Sequence, residues 1–273
     1  MALSEQLFLE RSRKLVSSPN FFAGRKNSLL ELERDEKLHD LSKLFIKRSA
    51  QHLYSYNFDF LGRPIIQYPQ DIVAMQELIW SIRPDLIIET GIAHGGSLIL
   101  SAAMLALLDM TEAIESGTTF DPSLSNRMVL GVDIDIREHN RNFINNHPMA
   151  SRIHMIEGSS IAPDVIHQIQ HIAAGYKRIL VCLDSNHTHD HVLSELEAYA
   201  PLTSLGSYCV VFDTIIEDMP TDMFPNRPWG PGNNPMTAVR HYLKNHPEFV
   251  IDRDIQHKLL ITVAPDGYLK RVS

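Results

Sequence analysis

An apolar strand that ends in an acid and turns through glycines straight onto a helix constrains this chain more than any other stretch. It runs Asp85-Leu86-Ile87-Ile88-Glu89-Thr90-Gly91-Ile92-Ala93-His94-Gly95-Gly96-Ser97, and residues 97 to 108 that follow are apolar almost all round, as in a helix buried against a sheet. Gly91, Gly95 and Gly96 let main chain approach a ligand closely, and the free N–H groups at the helix start favour polar or anionic ligand atoms. The spacing G-x-x-x-G-G is not the G-x-G-x-x-G of a pyrophosphate binder, and Glu89 would repel a pyrophosphate beside it. A cationic cofactor with an amino-acid end suits the loop better, which points towards S-adenosylmethionine. A glycine turn between strand and helix also has a purely structural use in any α/β domain.

The same form recurs along the chain. Met128-Val129-Leu130-Gly131-Val132-Asp133 is a second apolar strand ending in an acid, after an expected polar loop from about Asp109 to Arg127. A carboxylate there is placed to accept hydrogen bonds from ribose hydroxyls; Asp133 is the first candidate and Asp135 competes with it. Arg152 to Glu157 runs into Gly158-Ser159-Ser160, small residues suited to the edge of an adenine pocket. Arg178 to Asp184 is followed by Ser185-Asn186-His187-Thr188-His189-Asp190-His191, and Ser207 to Asp213 repeats the pattern. Apolar strands separated by helical segments imply parallel crossovers with both sheet faces covered, and ligands then bind beyond the carboxyl ends of the strands. Glu89, Asp133, Asp184 and Asp213 are therefore expected to converge on one crevice.

Taken in order, Glu89-Thr90-Gly91 with Gly95-Gly96-Ser97, Gly131 to Arg137, Glu157-Gly158-Ser159-Ser160, Leu183 to His187, and the closing Pro265-Asp266-Gly267-Tyr268-Leu269-Lys270-Arg271 resemble the cephalosporin hydroxylase family, which includes rhamnosyl O-methyltransferases. The resemblance covers roughly residues 60 to 273. It implies a Rossmann-like class I methyltransferase fold: an α/β domain with a seven-stranded, mostly parallel sheet, an antiparallel last strand and helices on both faces. It also implies S-adenosylmethionine as methyl donor, often with a divalent metal such as Mg2+. Carried over, Glu89, Gly91 and Ser97 line the methionine end of the cofactor and Asp133 takes the ribose, while Asp184 and Asp213 are metal ligands. Related sequences tend to have an acid just before the Asp213 position, where this chain has Phe212. A hard dication wants several oxygens, so this removes a ligand, and Asn186 could supply a neutral oxygen instead.

Methyl transfer from a sulfonium needs alignment of donor and acceptor and removal of the acceptor's proton. His187, three residues after Asp184, is the first candidate for that base, with His189 and His191 as alternatives; a histidine in a polar loop before a helix also commonly serves as a solvated or capping residue. The cluster His187, His189 and Asp190 offers the atoms of a non-haem iron oxygenase, but the alternating strands and helices are not the β-scaffold on which such sites are usual.

The first sixty residues differ in character. Leu30, Leu38, Leu41, Leu44 and Phe45 have helical spacing within a stretch dense in Glu, Lys and Arg, so residues 1–60 are expected to be a helical extension and residues 61–273 the cofactor-binding domain. The extension is placed to cover the sheet or the active site, or to contribute to a homo-oligomer. Between Met219 and Pro235, a loop rich in proline and glycine brings Arg227 and Trp229, suited to an acceptor lid or to a rigid surface loop. Phe249 to Asp252 and Leu259 to Val263 are expected to be the last two strands, paired as an antiparallel edge.

The net charge of −8 and the lack of a basic block remove the electrostatic footprint of a nucleic-acid binder. Cys182 and Cys209 fall in predicted buried strands, which suits reduced core thiols. No apolar run is expected to reach the ~20 residues that span a bilayer, and Met1 to Glu10 lacks the form of a secretory signal, so the cytoplasm is expected and a membrane partner is not. The expected activity is S-adenosylmethionine-dependent methylation of a hydroxyl on a small molecule, a sugar or natural product. Two other readings stand beside it: an NAD-dependent oxidoreductase on a similar sheet, and a family member that binds cofactor without chemistry, motivated by Phe212.

Overall fold

The computed structural model describes residues 19–122 and 124–273. Residues 1–18 of the expected helical extension lie outside the described residues. The described part of the extension holds two helices, α1 (Pro19–Arg34) and α2 (Glu36–Ala50), broken at Asp35, whose side chain accepts a hydrogen bond from Leu38 N at 3.0 Å and so starts the second helix. A short hairpin of β1 (Asp59–Phe60) and β2 (Arg63–Pro64) follows.

The main sheet is built from β3 (Leu86–Thr90), β4 (Met128–Asp133), β5 (Ile153–Glu157), β6 (Ile179–Leu183), β7 (Tyr208–Val211), β8 (Phe249–Ile251) and β9 (Tyr268–Arg271). Their spatial order is β5-β4-β3-β6-β7-β9-β8, parallel through β7 and antiparallel at the two contacts of β9. The helices are α3 (Pro69–Ile82), α4 (Gly96–Ser116), α5 (Glu138–Asn145), α6 (Pro163–Ala173), α7 (His189–Tyr199), α8 (Pro235–Tyr242) and α9 (Arg253–Leu259).

Side chains alternate across each strand, and this puts a core on both faces. Ile87, Val129, Leu180 and Val210 pack under α3 and α4, with Ile79, Leu98 and Leu105. Leu86, Ile88, Leu130, Val181 and Val211 face the other way, against Ile169, Leu196 and Val239 of α6, α7 and α8. Strands buried on both sides have no polar face to show, which explains their near-continuous apolar runs. The reversal of strand order beside β3 leaves a crevice at the carboxyl edge, between the turns that follow β3, β4 and β6.

Three expectations are corrected. The stretch after residue 108 is not all loop, because α4 continues to Ser116 and is closed by Gly117 at φ 67°. With 21 residues it is long and apolar enough to cross a membrane, yet Leu98, Ile99, Leu105 and Leu108 are fully buried inside the protein, so it is the core helix under the sheet. Leu259 to Val263 is not a strand: α9 ends there, Leu260 takes φ 60°, and Val263 N donates at 3.0 Å to the buried carboxylate of Asp71. Tyr268–Arg271 forms the last strand instead, inserted between β7 and β8. Asp71 holds this segment through Thr262 Oγ1 and, at 2.9 Å, Tyr268 OH; burial pushes its carboxyl up to about 6.

Helix α2 seats Ile46 against Tyr68, Ile215 and Met219, so the extension covers the segment that leaves β7.

Candidate active site

The glycine loop is shaped by close backbone contacts. Gly91 has φ 89° and donates to Val132 O at 2.8 Å; a Cβ there would run into the carbonyl of Asp184, so glycine is what lets the exits of β3 and β6 touch. Asp133 Oδ2 accepts from Ile92 N at 2.8 Å and Ala93 N at 3.2 Å, while Oδ1 accepts from Asp135 N at 3.1 Å. The carboxylate at the end of β4 thus fastens the loop, and Asp135 points outward, exposed. Arg63, from the β1–β2 hairpin, braces the other side by donating to His94 O at 3.0 Å and to Asn140 Oδ1 at 3.0 Å.

Glu89 is 4% exposed and accepts a hydrogen bond from Ser97 Oγ on α4. Burial raises its carboxyl to about 7, the serine opposing the shift. Gly91, Gly95, Ser97 and Asp184 line a cleft together with Gln67, a residue that sequence reasoning passed over. Gln67 is 5% exposed and its Oε1 has no hydrogen-bond partner among the described residues. The only sequence signal was a polar residue between Ile66 and Tyr68, just before the Pro69 that starts α3. Ser159, half-buried in the turn after β5, accepts from Ala162 N at 2.9 Å through its carbonyl.

Asp184 leaves β6 with its N–H donated to Thr90 O at 3.0 Å, and its carboxylate has no hydrogen bond among the described residues. Burial, with Asp213 and Glu89 adding to it, holds its carboxyl well above the usual range. Asp213 sits at φ 55°, a left-handed turn that swings its side chain to within 3.3 Å of His187 Nε2. One donor atom each from Asp184, His187 and Asp213 lies within 4.8 Å of the others. His187 also meets Trp229 edge to face, ring centroids 4.8 Å apart at 82°, with Arg227 stacked 5.0 Å over Trp229.

The other loop residues turn elsewhere. Asn186 Oδ1 accepts from Thr188 N at 2.9 Å and Thr188 Oγ1 at 2.8 Å, bracketing the turn into α7. His189 contacts Thr237 Oγ1 at 2.8 Å and stacks on His241. His191 Nε2 lies 3.0 Å from Ser160 Oγ and 3.2 Å from Ser185 Oγ, beside the fully buried Glu195. The structure therefore brings His187, not His189 or His191, to the two aspartates, and does not assemble an oxygenase set from His187, His189 and Asp190. The Pro- and Gly-rich loop is fastened: Glu217 accepts from Gly232 N at 2.8 Å, and Asn233 Oδ1 accepts from His189 N at 2.9 Å.

Residues 52–272 match the family model described as Rhamnosyl O-methyltransferase/CmcI. The chain belongs to this family. A rhamnosyl O-methyltransferase of Mycobacterium tuberculosis is 31% identical over 210 residues, 74% of this chain and 73% of that one. That of Mycobacterium leprae is 28% identical over 216 residues, 78% of this chain and 82% of its own length. Among solved structures, that of CalS11, a TDP-rhamnose 3'-O-methyltransferase of calicheamicin biosynthesis, has a TM-score of 0.49 at 15% identity, covering 94% of this chain and 96% of that chain. A CmcI structure with Mg and SAM has a TM-score of 0.48 at 16% identity, covering 80% and 78%.

The chain, a member of the rhamnosyl O-methyltransferase/CmcI family, has a cleft whose chemistry fits the amino-acid end of a cationic cofactor: Gln67 offers an Oε1 without a partner among the described residues, the Glu89 acid stands behind Ser97, and N–H groups at the start of α4 donate. The neighbouring Asp184, His187 and Asp213 fit a dication, being two carboxylates and an imidazole facing one point.

Proposed function

We propose that this chain transfers the methyl group of S-adenosylmethionine to a hydroxyl of a sugar or sugar-bearing natural product. The observation that carries the reading is adjacency: Asp184 both lines the glycine-loop cleft and belongs to the Asp184–His187–Asp213 corner, so a methyl donor in one would lie beside an acceptor oxygen at the other. The names of the mycobacterial relatives, and of CalS11, support a sugar hydroxyl as acceptor.

In this reading Gln67, Glu89 and the N–H groups around Gly95 orient the methionine end of the cofactor. Asp133 is offered to the ribose, Ser159 to the adenine edge, and Ile134, 73% exposed beside Asp133, gives the adenosine an apolar face. Trp229 walls the acceptor side against His187, where a half-buried aromatic suits the C–H face of a sugar ring. Two uses of His187 Nε2 serve removal of the acceptor's proton, and one nitrogen cannot serve both. It is a general base, with Asp213 steadying the imidazolium that forms. Alternatively it helps to hold a cation, with Asp184, Asp213 and, less directly placed, Asn186 as the other candidates. A bound Mg2+ or similar dication lowers a hydroxyl's pKa and fixes its position.

The protein works in the cytoplasm and assembles as a homo-oligomer. Reduced, buried Cys182 and Cys209 support the first; Leu41, Leu44, Leu53 and Tyr56, each more than half exposed on the extension, support the second. Incubation with methyl-labelled S-adenosylmethionine and a panel of deoxysugar and nucleotide-sugar acceptors tests the reading. Label on a sugar oxygen is expected; cofactor binding with no transfer to any hydroxyl would favour a member that has lost its chemistry.

A further inference from the structure

The cation corner of this chain is not an all-oxygen site. Phe212, directly before Asp213, is 3% exposed and packs in the core with Val210 and Tyr268, so the chain has no ligand at that position. The carbonyl oxygen of Asn186 is already engaged by two donors of Thr188. What faces the corner is one oxygen of Asp184, one of Asp213 and a ring nitrogen of His187, mutually within 4.8 Å, with the His187–Asp213 pair at 3.3 Å. Donors that share one ion at bond lengths of about 2.0–2.2 Å stand roughly 3 to 4 Å apart, so the three converge with small side-chain adjustments. Two carboxylates and an imidazole facing one point supply the donor atoms a dication takes, and Asp184 has no competing side-chain hydrogen bond among the described residues.

We propose that His187 is a metal ligand, completing a site with Asp184 and Asp213, and that the site selects a transition dication such as Co2+ or Zn2+ over Mg2+. Mg2+ demands near-ideal octahedral oxygen coordination, whereas an imidazole nitrogen suits borderline transition metals. The proposal decides between the two uses of His187: the nitrogen that holds the ion cannot also take the acceptor's proton. It rests on the methyltransferase reading for its chemical purpose, and its test needs neither cofactor nor acceptor.

The test is calorimetric titration of the chelator-treated full chain with Co2+ and with Mg2+, together with the visible spectrum of the Co2+ form. An oxygen-only site also binds Co2+ more tightly than Mg2+, so the decisive quantity is how His187 divides the two ions. His187→Ala is expected to weaken Co2+ by about tenfold or more and to change its spectrum, while Mg2+ affinity moves by less than about twofold. His187→Gln, which keeps bulk against Trp229, is expected to do the same, and Asp184→Asn to lose both ions, which locates the binding here. Co2+ affinity and spectrum unchanged in both His187 variants, or equal losses for the two ions, would overturn the proposal. Because S-adenosylmethionine is titrated separately, a failure of cofactor binding is a distinct result.

Discussion

At the scale of single residues, the site depends on groups whose normal state is changed by where the backbone puts them. Glu89 has its carboxyl raised from 4.5 to about 7 by burial, so between those values the folded chain holds a proton that the unfolded chain releases. Its contribution to stability is complete below pH 4.5 and is lost as pH rises to 7. Thermal melts of the cofactor-free protein across this range should show a downward component that Glu89→Gln removes. A cationic ligand favours the ionised form, so S-adenosylmethionine should bind more tightly as pH rises through 7 and release a proton on binding. Calorimetry in buffers of different ionisation heat reads that proton, and no buffer dependence would rule Glu89 out as the group. Gln67→Ala should weaken the cofactor about tenfold with little loss of stability, the worth of one hydrogen bond to a charged group. Gly91→Ala should cost about 2 kcal/mol in denaturant unfolding and abolish cofactor binding, since its Cβ meets the Asp184 carbonyl at a left-handed φ. Gly91, Glu89, Asp133, Asp184 and Asp213 were visible in the sequence because each sits at the end of an apolar run. Arg63 and Gln67 were not, because their importance comes from the β1–β2 hairpin and the segment that follows it, which meet the loop from outside the βα pattern.

Between elements, the strands that read most plainly in the sequence are those buried on both faces, where apolar runs and acidic ends coincide. The error at Leu259 to Val263 has the same physical root. An apolar run signals burial, and burial does not distinguish a ladder from an irregular segment whose N–H is satisfied by a buried carboxylate such as Asp71. The length of α4 was underestimated because Asp109 and Glu112 look like loop residues. In the structure they are the acidic half of a network: Arg127, 6% exposed, donates to both acids, and Arg152, 3% exposed, reaches Asp109. Asp109→Ala leaves two buried guanidinium groups short of their partner, and should cost about 3 kcal/mol in denaturant unfolding. The site lies at the other end of the strands, so cofactor affinity of the folded variant should stay unchanged; a loss below about 1 kcal/mol would show the network to be solvated.

For the molecule as a whole, the sheet order leaves a crevice at its reversal, where the proposed reading sets cofactor and acceptor side by side, and helix α2 of the extension covers the segment that follows β7. Leu41→Glu with Leu44→Glu should shift sedimentation velocity to a monomer if these exposed side chains form the contact between copies; an unchanged boundary would place the contact elsewhere. The central claim is that this crevice holds S-adenosylmethionine and not a dinucleotide. Calorimetric titration of the purified chain with S-adenosylmethionine and, in parallel, with NAD tests it most directly, with Asp133→Ala as the companion variant. Saturable binding of S-adenosylmethionine alone, weakened in Asp133→Ala, is the predicted result. Binding of NAD by the folded protein with none of S-adenosylmethionine would contradict the claim.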